Sequence, residues 1–413
     1  MRRARWFMLV AGVVVGVAAG VWAGDAKDTG EDSAGRYTVP QGGVAELVRF
    51  IQELSQFRPG TVQEDLEHRA KFRPALQQAA ERIVKLEKDT KSEAYRAAEF
   101  ILLANRVRWI AQALPQAQRK TLDDVKTYLA GHLDTDQADS AADLAMTAAQ
   151  AVQNAGQPGL AAEAFKSFAA VLQKGQESKR REMASSMGEK ARELLAVSAQ
   201  FPFQGPKVQL PPKGRLVPLD LKGKSNQPIN DLSEGGDFEG NGFAELPRGE
   251  QVLGGVRFRI GDTIIRLAST NLTTAPKQVE GIPVDRKVAK LYLLHSNQWG
   301  SPDNVPDGTN IGQYTVRYED GSSASIPIVY GQDVRDWWNF DGGRPVTRGR
   351  VVWTGSNRAS ELEQFRATLR LYLGVWENPH PEKKVTAIDF LSENTICAPF
   401  CVAITVEESG EAK

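Results

Sequence analysis

The segment between residues 331 and 343 places tryptophans beside charged and amide side chains. The flat face of a tryptophan can stack on the apolar C–H face of a sugar ring, while polar neighbours hydrogen-bond the sugar hydroxyls. The sequence therefore predicts a carbohydrate site at Trp337, Trp338, Arg335, Asp336, Asn339 and, from an earlier loop, Trp299. Because adjacent residues of an extended chain face opposite ways, we expect only one of the two neighbouring tryptophans to contact a ligand. Packing of the tryptophans inside the domain is the alternative.

The sequence carries no catalytic signature. A glycosidase needs two carboxylates that face each other across the sugar, and nothing in the sequence pairs its acids in this way. No Gly-x-Ser-x-Gly motif is present, and the four histidines, His68, His132, His295 and His380, lack the spacing of zinc ligands. These observations favour a non-catalytic binding protein, with a divergent glycosidase as the less favoured alternative.

Two acidic loops, residues 234–242 and 301–310, contain glycine or proline. Carboxylates and carbonyls on flexible backbone are the ligands that calcium takes, so these loops could hold a structural calcium ion. Neither loop matches an EF-hand, and ordinary turns use the same residue types. No other cofactor or metal is indicated.

The only cysteines are Cys397 and Cys401. On a regular strand their Cα atoms would lie about 13 Å apart, whereas a disulfide needs them within about 7 Å. A bridge therefore requires a turn between them, which Pro399 permits. Two buried, reduced thiols are the alternative.

Charge excludes one class of partner. The chain has 51 basic and 51 acidic residues and a formal net charge of zero. No basic stripe interleaved with aromatic residues is present, and such a stripe is the usual footprint of a nucleic-acid-binding protein. We therefore expect no nucleic-acid partner.

The first residues have the pattern of an export signal. Arg2, Arg3 and Arg5 precede an apolar run over residues 6–22, and small residues stand where a signal peptidase reads the chain. We expect a signal peptide over residues 1–23 and a flexible leader over 24–42, with the protein exported to the periplasm, the cell surface or the medium. An uncleaved membrane anchor is the alternative. No later segment is apolar enough to span a membrane.

Residues 43–200 have the periodicity of helices. An apolar stripe recurs at steps of three and four residues through Phe100, Leu103, Val107, Ile110 and Leu114. The motifs that begin at Thr61 and Thr121 resemble capping boxes, and the sequence around Pro158 separates two alanine-rich helices over 140–155 and 159–174. The sequence predicts an array of α-hairpins. It forms either a repeat with a concave surface for a protein partner or an irregular bundle.

Residues 201–214 contain four prolines and predict an extended linker, because prolines at this density cannot continue a helix. Short strand patterns follow over 215–408, before a tail at 409–413. The clearest is a hairpin in which residues 313–318 and 324–330 flank Asp320-Gly321. The other expected strands are residues 216–221, 256–260, 263–268, 288–294, 350–354, 367–376, 385–391 and 401–406.

Five ordered segments of this second half carry a family resemblance. They are LPRGEQVLGGVRFRI (246–260), VEGIPVDRKVAKLYLLHS (279–296), YTVRYEDGSSASIPIVYGQDVRDWW (314–338), VWENPHPEKKVTAIDFLS (375–392) and APFCVAITVE (398–407). Together they resemble a galactose-binding-like β-sandwich module, found in exported bacterial proteins and in some cases beside glycoside hydrolase domains. The resemblance implies a jelly-roll sandwich, and such modules often hold a structural calcium.

A second resemblance concerns the helical half. The segment AGQPGLAAEAFKSFAAVL (155–172) is similar to the helical region that precedes a thioredoxin-like domain in some exported bacterial proteins. No CxxC motif follows it in this chain, so the resemblance implies no redox activity.

The expected architecture is an α+β multidomain protein, with an N-terminal all-α helical-hairpin bundle and a C-terminal antiparallel β-sandwich. The expected function is non-catalytic binding of a glycan or a glycosylated surface by the sandwich, with a protein partner on the helices. A structural or assembly protein of the cell envelope, without a sugar site, is the alternative.

Overall fold

The computed structural model describes residues 35–207, 209–233 and 239–409. The expected signal peptide, most of the leader and most of the tail lie outside the described residues. The chain has two parts, a helical N-terminal half and a C-terminal half built from antiparallel strands. This is an α+β fold, as the sequence predicted.

Within residues 35–207, the structure describes seven α-helices. They are α1 (Val44–Gln56), α2 (Val62–Leu86), α3 (Glu93–Arg108), α4 (Pro115–His132), α5 (Ala138–Asn154), α6 (Pro158–Leu172) and α7 (Ser178–Gln200), with a 3₁₀ turn at Ile110–Gln112. Most alanines of α5 and α6 lie in the core, where their small side chains allow helices to approach closely. Phe165 and Phe168 of α6 fill the space between the helices and are almost fully buried.

The two predicted helix starts have different outcomes. Thr61 caps α2 as expected, because its hydroxyl accepts from the backbone N–H of Glu64 and the Glu64 carboxylate accepts from the backbone N–H of Thr61. The prediction at Thr121 is wrong. Thr121 lies inside α4, and its hydroxyl donates to the carbonyl of Ala117 at 3.0 Å. A threonine can satisfy its hydroxyl in this way within a helix, so a capping pattern alone does not define a helix start.

In the described part of the C-terminal half there are thirteen strands. They are β1 (Leu216–Pro218), β2 (Gln227–Pro228), β3 (Gly249–Leu253), β4 (Val256–Ile260), β5 (Thr263–Arg266), β6 (Gln278–Gln298), β7 (Asn310–Tyr318), β8 (Ser323–Val329), β9 (Trp338–Asn339), β10 (Arg350–Gly355), β11 (Thr368–Glu377), β12 (Lys384–Ser392) and β13 (Ala398–Glu408). Every expected strand is present. The sequence missed β2, β3 and β9, which are short or mostly exposed.

The long strand β6 organises the sheet. Its first half, up to Lys287, pairs with β12, and its second half pairs with β13 on one side and β11 on the other. Gly281 and Asp285 have positive φ angles of 67° and 53° within this strand, so the backbone departs from regular extended geometry near the change of partners. The path of paired strands is β2-β5-β13-β6-β12-β7-β8, with β11 and β10 on the other edge of β6. The jelly-roll and galactose-binding-like type stays a prediction.

The β7–β8 hairpin forms where the sequence placed it. Gly321 has a φ of 83°, and the backbone N–H of Tyr318 donates to the carbonyl of Ser322 at 2.9 Å. This positive φ is the reason that a glycine follows Asp320 in the turn.

The proline-rich segment 201–214 does not hold the two halves apart. Gln204 and Gly205 donate backbone N–H groups to the carbonyl of Thr347, and Leu210 packs against a β-domain core. The guanidinium of Arg350 lies 4.6 Å from the ring centroid of Phe203. The segment therefore runs along the β-domain surface.

A buried network of charges joins the two halves. Arg69 of α2 makes a two-point contact with Glu361 at 3.0 and 2.6 Å, and Arg108 of α3 pairs with Glu245. Burial on its own would raise the pKa of Glu245, but Arg108, Arg69 and Arg73 together hold this pKa below its usual value. The backbone N–H of Gly254 also donates to the carbonyl of Gln112 at 2.8 Å. Arginines of the helices and glutamates of the β-domain thus neutralise one another where the two halves meet.

Among the described helices, none combines the length and the apolar character that crossing a bilayer requires.

Replacing Glu245 by Gln should destabilise the protein by about 3 kcal/mol, because buried arginines would lose their counter-charge. Urea unfolding at pH 7 measures the effect. The control is Glu163→Gln, which removes the surface pair with Arg119 at 2.7 Å and should change stability by less than about 1 kcal/mol. Equal effects of the two substitutions would contradict a charge network that joins the domains.

Candidate functional site

A cavity of about 380 Å³ opens at the end of β6. Its walls come from the loop after β6, the segment that contains β9, and β11. The segment is fixed to β6 because the backbone N–H of Trp337 donates to the carbonyl of Asn297 at 2.9 Å. The cavity has the size of a small-molecule site, for which the typical range is about 300–1,000 Å³.

Five aromatic side chains line the cavity: Trp299, Trp337, Trp338, Phe340 and Phe365. The ring centroid of Trp338 lies 5.4 Å from that of Phe340 and 5.2 Å from that of Phe365, so these rings contact one another. Trp337 and Trp338 are 3% and 7% exposed, whereas Phe340 is 58% exposed. The buried tryptophans therefore support an aromatic platform whose most exposed ring is Phe340, with Trp299 and Phe365 partly exposed.

Asp336 stands on the cavity wall. Its carboxylate accepts the backbone N–H groups of Gly300 at 2.9 Å and Trp338 at 2.8 Å. Burial raises the pKa of Asp336 to about 7 from an ordinary value of 3.8, although these hydrogen bonds and the charge of Arg370 act in the opposite direction. Near neutral pH the side chain therefore exists in both protonation states.

Arg370 and Asp341 form a buried ion pair beside Asp336. The two terminal nitrogens of Arg370 donate to the two oxygens of Asp341 at 3.0 and 2.8 Å, and both side chains are less than 5% exposed. Arg370 Nε also donates to the backbone carbonyl of Asp336 at 2.9 Å, and Nη1 donates to Asn339 Oδ1 at 3.2 Å. This guanidinium holds together the segment that carries the aromatic platform.

The predicted site residues separate into two groups. Trp299, Asp336, Trp337 and Trp338 line the cavity. Arg335 does not; its guanidinium is buried and donates to both oxygens of Asp307 at 2.8 and 2.9 Å. Asn339 also lies behind the wall, where its amide nitrogen contacts Asn154 Oδ1 at 3.2 Å and its oxygen accepts from the backbone of Gly343.

The predicted site lacked most of the cavity residues, among them Phe340, Asp341, Phe365 and Arg370. Phe340 and Asp341 follow the tryptophan pair after Asn339, and a ring two residues after Trp338 is the signal that could have identified them. Arg370 and Phe365 reach the cavity only through strand pairing between β9 and β11. No local pattern in the sequence could have placed them there.

The cavity segment is also tied to the helical domain. Gln153 Nε2 of α5 donates to the carbonyl of Gly342 at 2.6 Å, and Asn154 contacts Asn339. Gly343 has a φ of 82°, and a Cβ atom there would lie 2.6 Å from the carbonyl oxygen of Gln153. The end of α5 thus supports the loop that presents Phe340.

The acidic loop at residues 301–310 contains an acid that is paired within the chain. Its Asp307 carboxylate is engaged by Arg335 and Arg344. Within the described ranges, no three histidine, cysteine or acidic side chains come together as a metal site. The other loop considered for calcium, residues 234–242, lies partly outside the described residues.

Both cysteines are free and buried. The chain between them continues into β13 with regular pairing to β6, so the turn that a disulfide requires is not formed. Burial raises the pKa of each thiol to about 12, which keeps the sulfur protonated at neutral pH. Neither cysteine has the ionised form that nucleophilic or redox chemistry uses.

Comparisons with known proteins identify no family. No protein-family model matches the chain, and no curated protein matches it, so the galactose-binding-like resemblance has no support from a family match. Three chains of solved structures match. One is the functional form of the mosquito-larvicidal Cry4Aa toxin from Bacillus thuringiensis, with 6% sequence identity, 99% of this chain and 92% of the toxin chain covered, and a TM-score of 0.19. Such a score supports no inference about fold or function.

Replacing Gly343 by Ala should destabilise the protein by at least about 2 kcal/mol, because the positive φ is strained for alanine and the new Cβ meets the Gln153 carbonyl. Gly342→Ala is a matched control: its φ is 67°, but a Cβ there meets no described atom within 4 Å. We expect a loss of about 1 kcal/mol for this control. Urea unfolding compares them, and equal losses would show that the Gln153 contact is unimportant.

The raised pKa of Asp336 should make the free energy of unfolding decrease as pH rises. Its folded pKa of about 7 exceeds the ordinary 3.8, so its stabilising contribution is complete below about pH 4 and lost as pH approaches 7. Relative to Asp336→Asn, the wild type should lose roughly 1 kcal/mol per pH unit over this interval. Urea unfolding at pH 5 and pH 7 measures the difference. Identical pH dependence in the two proteins would contradict the raised pKa.

Proposed function

We propose that this protein is an exported, non-catalytic glycan-binding protein whose ligand occupies the cavity beside Phe340. The observation that carries the proposal is an exposed aromatic ring at a cavity that also contains carboxyl and amide side chains. Apolar sugar faces stack on aromatic rings, and sugar hydroxyls need polar partners in the same small volume. The expected signal peptide supports the assignment of the protein to an exported location.

The polar lining suits neutral hydroxyl groups. Asn241, Asn271 and Gln298 line the cavity, and amide side chains both donate and accept hydrogen bonds. Gln298 already donates to the carbonyl of Leu232 and accepts from Arg266, and Asn241 Oδ1 accepts from Asn357. Asn271 is exposed to solvent at the cavity. Asp336 can accept a hydrogen bond when ionised and donate one when protonated, and hydroxyl groups can pair with either form.

The same geometry favours binding over glycoside hydrolysis. Hydrolysis requires a second carboxylate that can reach the sugar or a water molecule. Asp341 is the other acid of the cavity, but its side chain is 4% exposed and both oxygens are engaged by Arg370. Asp336 therefore lacks an accessible carboxylate partner among the described cavity residues.

Replacing Phe340 by Ala should reduce glycan affinity by about tenfold or more, because stacking on an aromatic side chain contributes about 0.5–1.5 kcal/mol in addition to the buried area. Phe340 is 58% exposed, so the variant should keep its fold. Intrinsic tryptophan fluorescence of the full chain, titrated with a panel of soluble oligosaccharides, measures affinity.

The matched control is Phe203→Ala, which removes a 45% exposed ring from the proline-rich segment and should leave affinity unchanged. Equal affinity of Phe340→Ala and wild type for every bound glycan would place the binding site elsewhere. No binding of any glycan by the folded wild type would instead favour the alternative of an envelope assembly protein.

A further inference from the structure

Asp336 differs from the other buried or half-buried acids near the cavity. Asp341 pairs with Arg370, and Asp307 pairs with Arg335 and Arg344. Asp336 has two backbone N–H donors, and in the part of the chain that the structure describes no basic side chain forms an ion pair with it. Since an ionised carboxylate has about four acceptor positions, two hydrogen bonds leave capacity for a ligand.

The cavity has no complementary group for an anionic ligand. Arg370 is the only basic residue among its described lining residues. All three of its side-chain nitrogens are engaged, by Asp341, by Asn339 and by the backbone carbonyl of Asp336. The ion pair of Arg370 with Asp341 is neutral, so an ionised Asp336 gives the cavity a net negative charge.

We infer that the cavity selects glycans that carry a primary ammonium group, such as 2-amino-2-deoxy sugars, with Asp336 as the group that binds the ammonium. This inference depends on the proposed glycan function and names its substrate class. An ammonium ion supplies donors and a positive charge to a carboxylate that has neither a cationic partner nor full hydrogen bonding, and such charge-assisted bonds are the stronger ones. The adjacent aromatic platform receives the face of the same sugar.

Binding of an ammonium group should depend on pH. The groups that act on the ionisation of Asp336 are Arg370 on β11, which favours the carboxylate, and Asp341 after β9, which opposes it. Asp336 also lies close enough to Cys397 to influence that thiol, which stays neutral. Because burial raises the pKa of Asp336 to about 7, a cationic ligand must displace a proton at pH 5 and meets a half-ionised group at pH 7.

The test compares three tetrasaccharides with the same β-1,4-linked glucose skeleton, built from glucosamine, N-acetylglucosamine or glucose. Isothermal titration calorimetry of the full chain at pH 5 and pH 7 measures each affinity. We expect the glucosamine tetramer to bind about tenfold more tightly than the other two at pH 7, since a charged hydrogen bond contributes about 1.5–3 kcal/mol. This preference should be smaller at pH 5 and should disappear in Asp336→Asn.

The outcomes separate the inference from the proposed function. Equal binding of the three tetramers, or an amine preference that survives in Asp336→Asn, overturns the inference and leaves glycan binding intact. Binding of none of the sugars in the panel and none of the tetramers overturns both. If Asp336→Asn does not fold, the pH profile of the wild type decides: an amine preference that is the same at pH 5 and pH 7 contradicts a role for Asp336.

Discussion

The cavity depends on the hydrogen bonds that the buried guanidinium of Arg370 makes with Asp341 and with the backbone of Asp336. Arg370 belongs to β11, which pairs with the long strand β6. The loop between β9 and β10 has little regular structure of its own. A planar group with five fixed donors can order such a loop, because each hydrogen bond fixes both distance and direction. The sheet therefore fixes the position of the aromatic platform, through Arg370.

The helical half contributes to the same site. Gln153 and Asn154 at the end of α5 contact the loop from the side opposite the cavity, and the charge network around Glu245 joins the two halves nearby. The expectation of two modules separated by a stiff linker does not describe this arrangement. A β-domain fragment on its own would lose the support of α5. It would also expose the Glu245 carboxylate, whose arginine partners belong to the helices. Binding is therefore better studied in the full chain.

Local patterns predicted most of the fold and part of the site. Alternation of apolar and polar residues located the strands because one buried face imposes a period of two, and Asp320-Gly321 located a turn that needs a positive φ. The tryptophan segment lines a cavity, but Trp337 and Trp338 are buried there, and the most exposed ring is that of Phe340, which the sequence analysis did not name. Arg370 and Phe365 reach the site because β11 pairs with β9, a contact between residues far apart in sequence. Thr121 was misassigned as a helix cap because its hydroxyl can also donate to a backbone carbonyl inside a helix.

The pairing of β6 has a consequence for the order in which the chain acquires structure. Its partners β11, β12 and β13 all follow it in sequence, and β13 ends at Glu408. During synthesis the helices of residues 44–200 can fold as they emerge, whereas β6 must wait until β11 begins at Thr368 and β13 begins at Ala398. The sheet is therefore completed after the helices, when β13 has been made. A chain that stops before β13 would leave one of the most apolar strands of the domain without its principal partner.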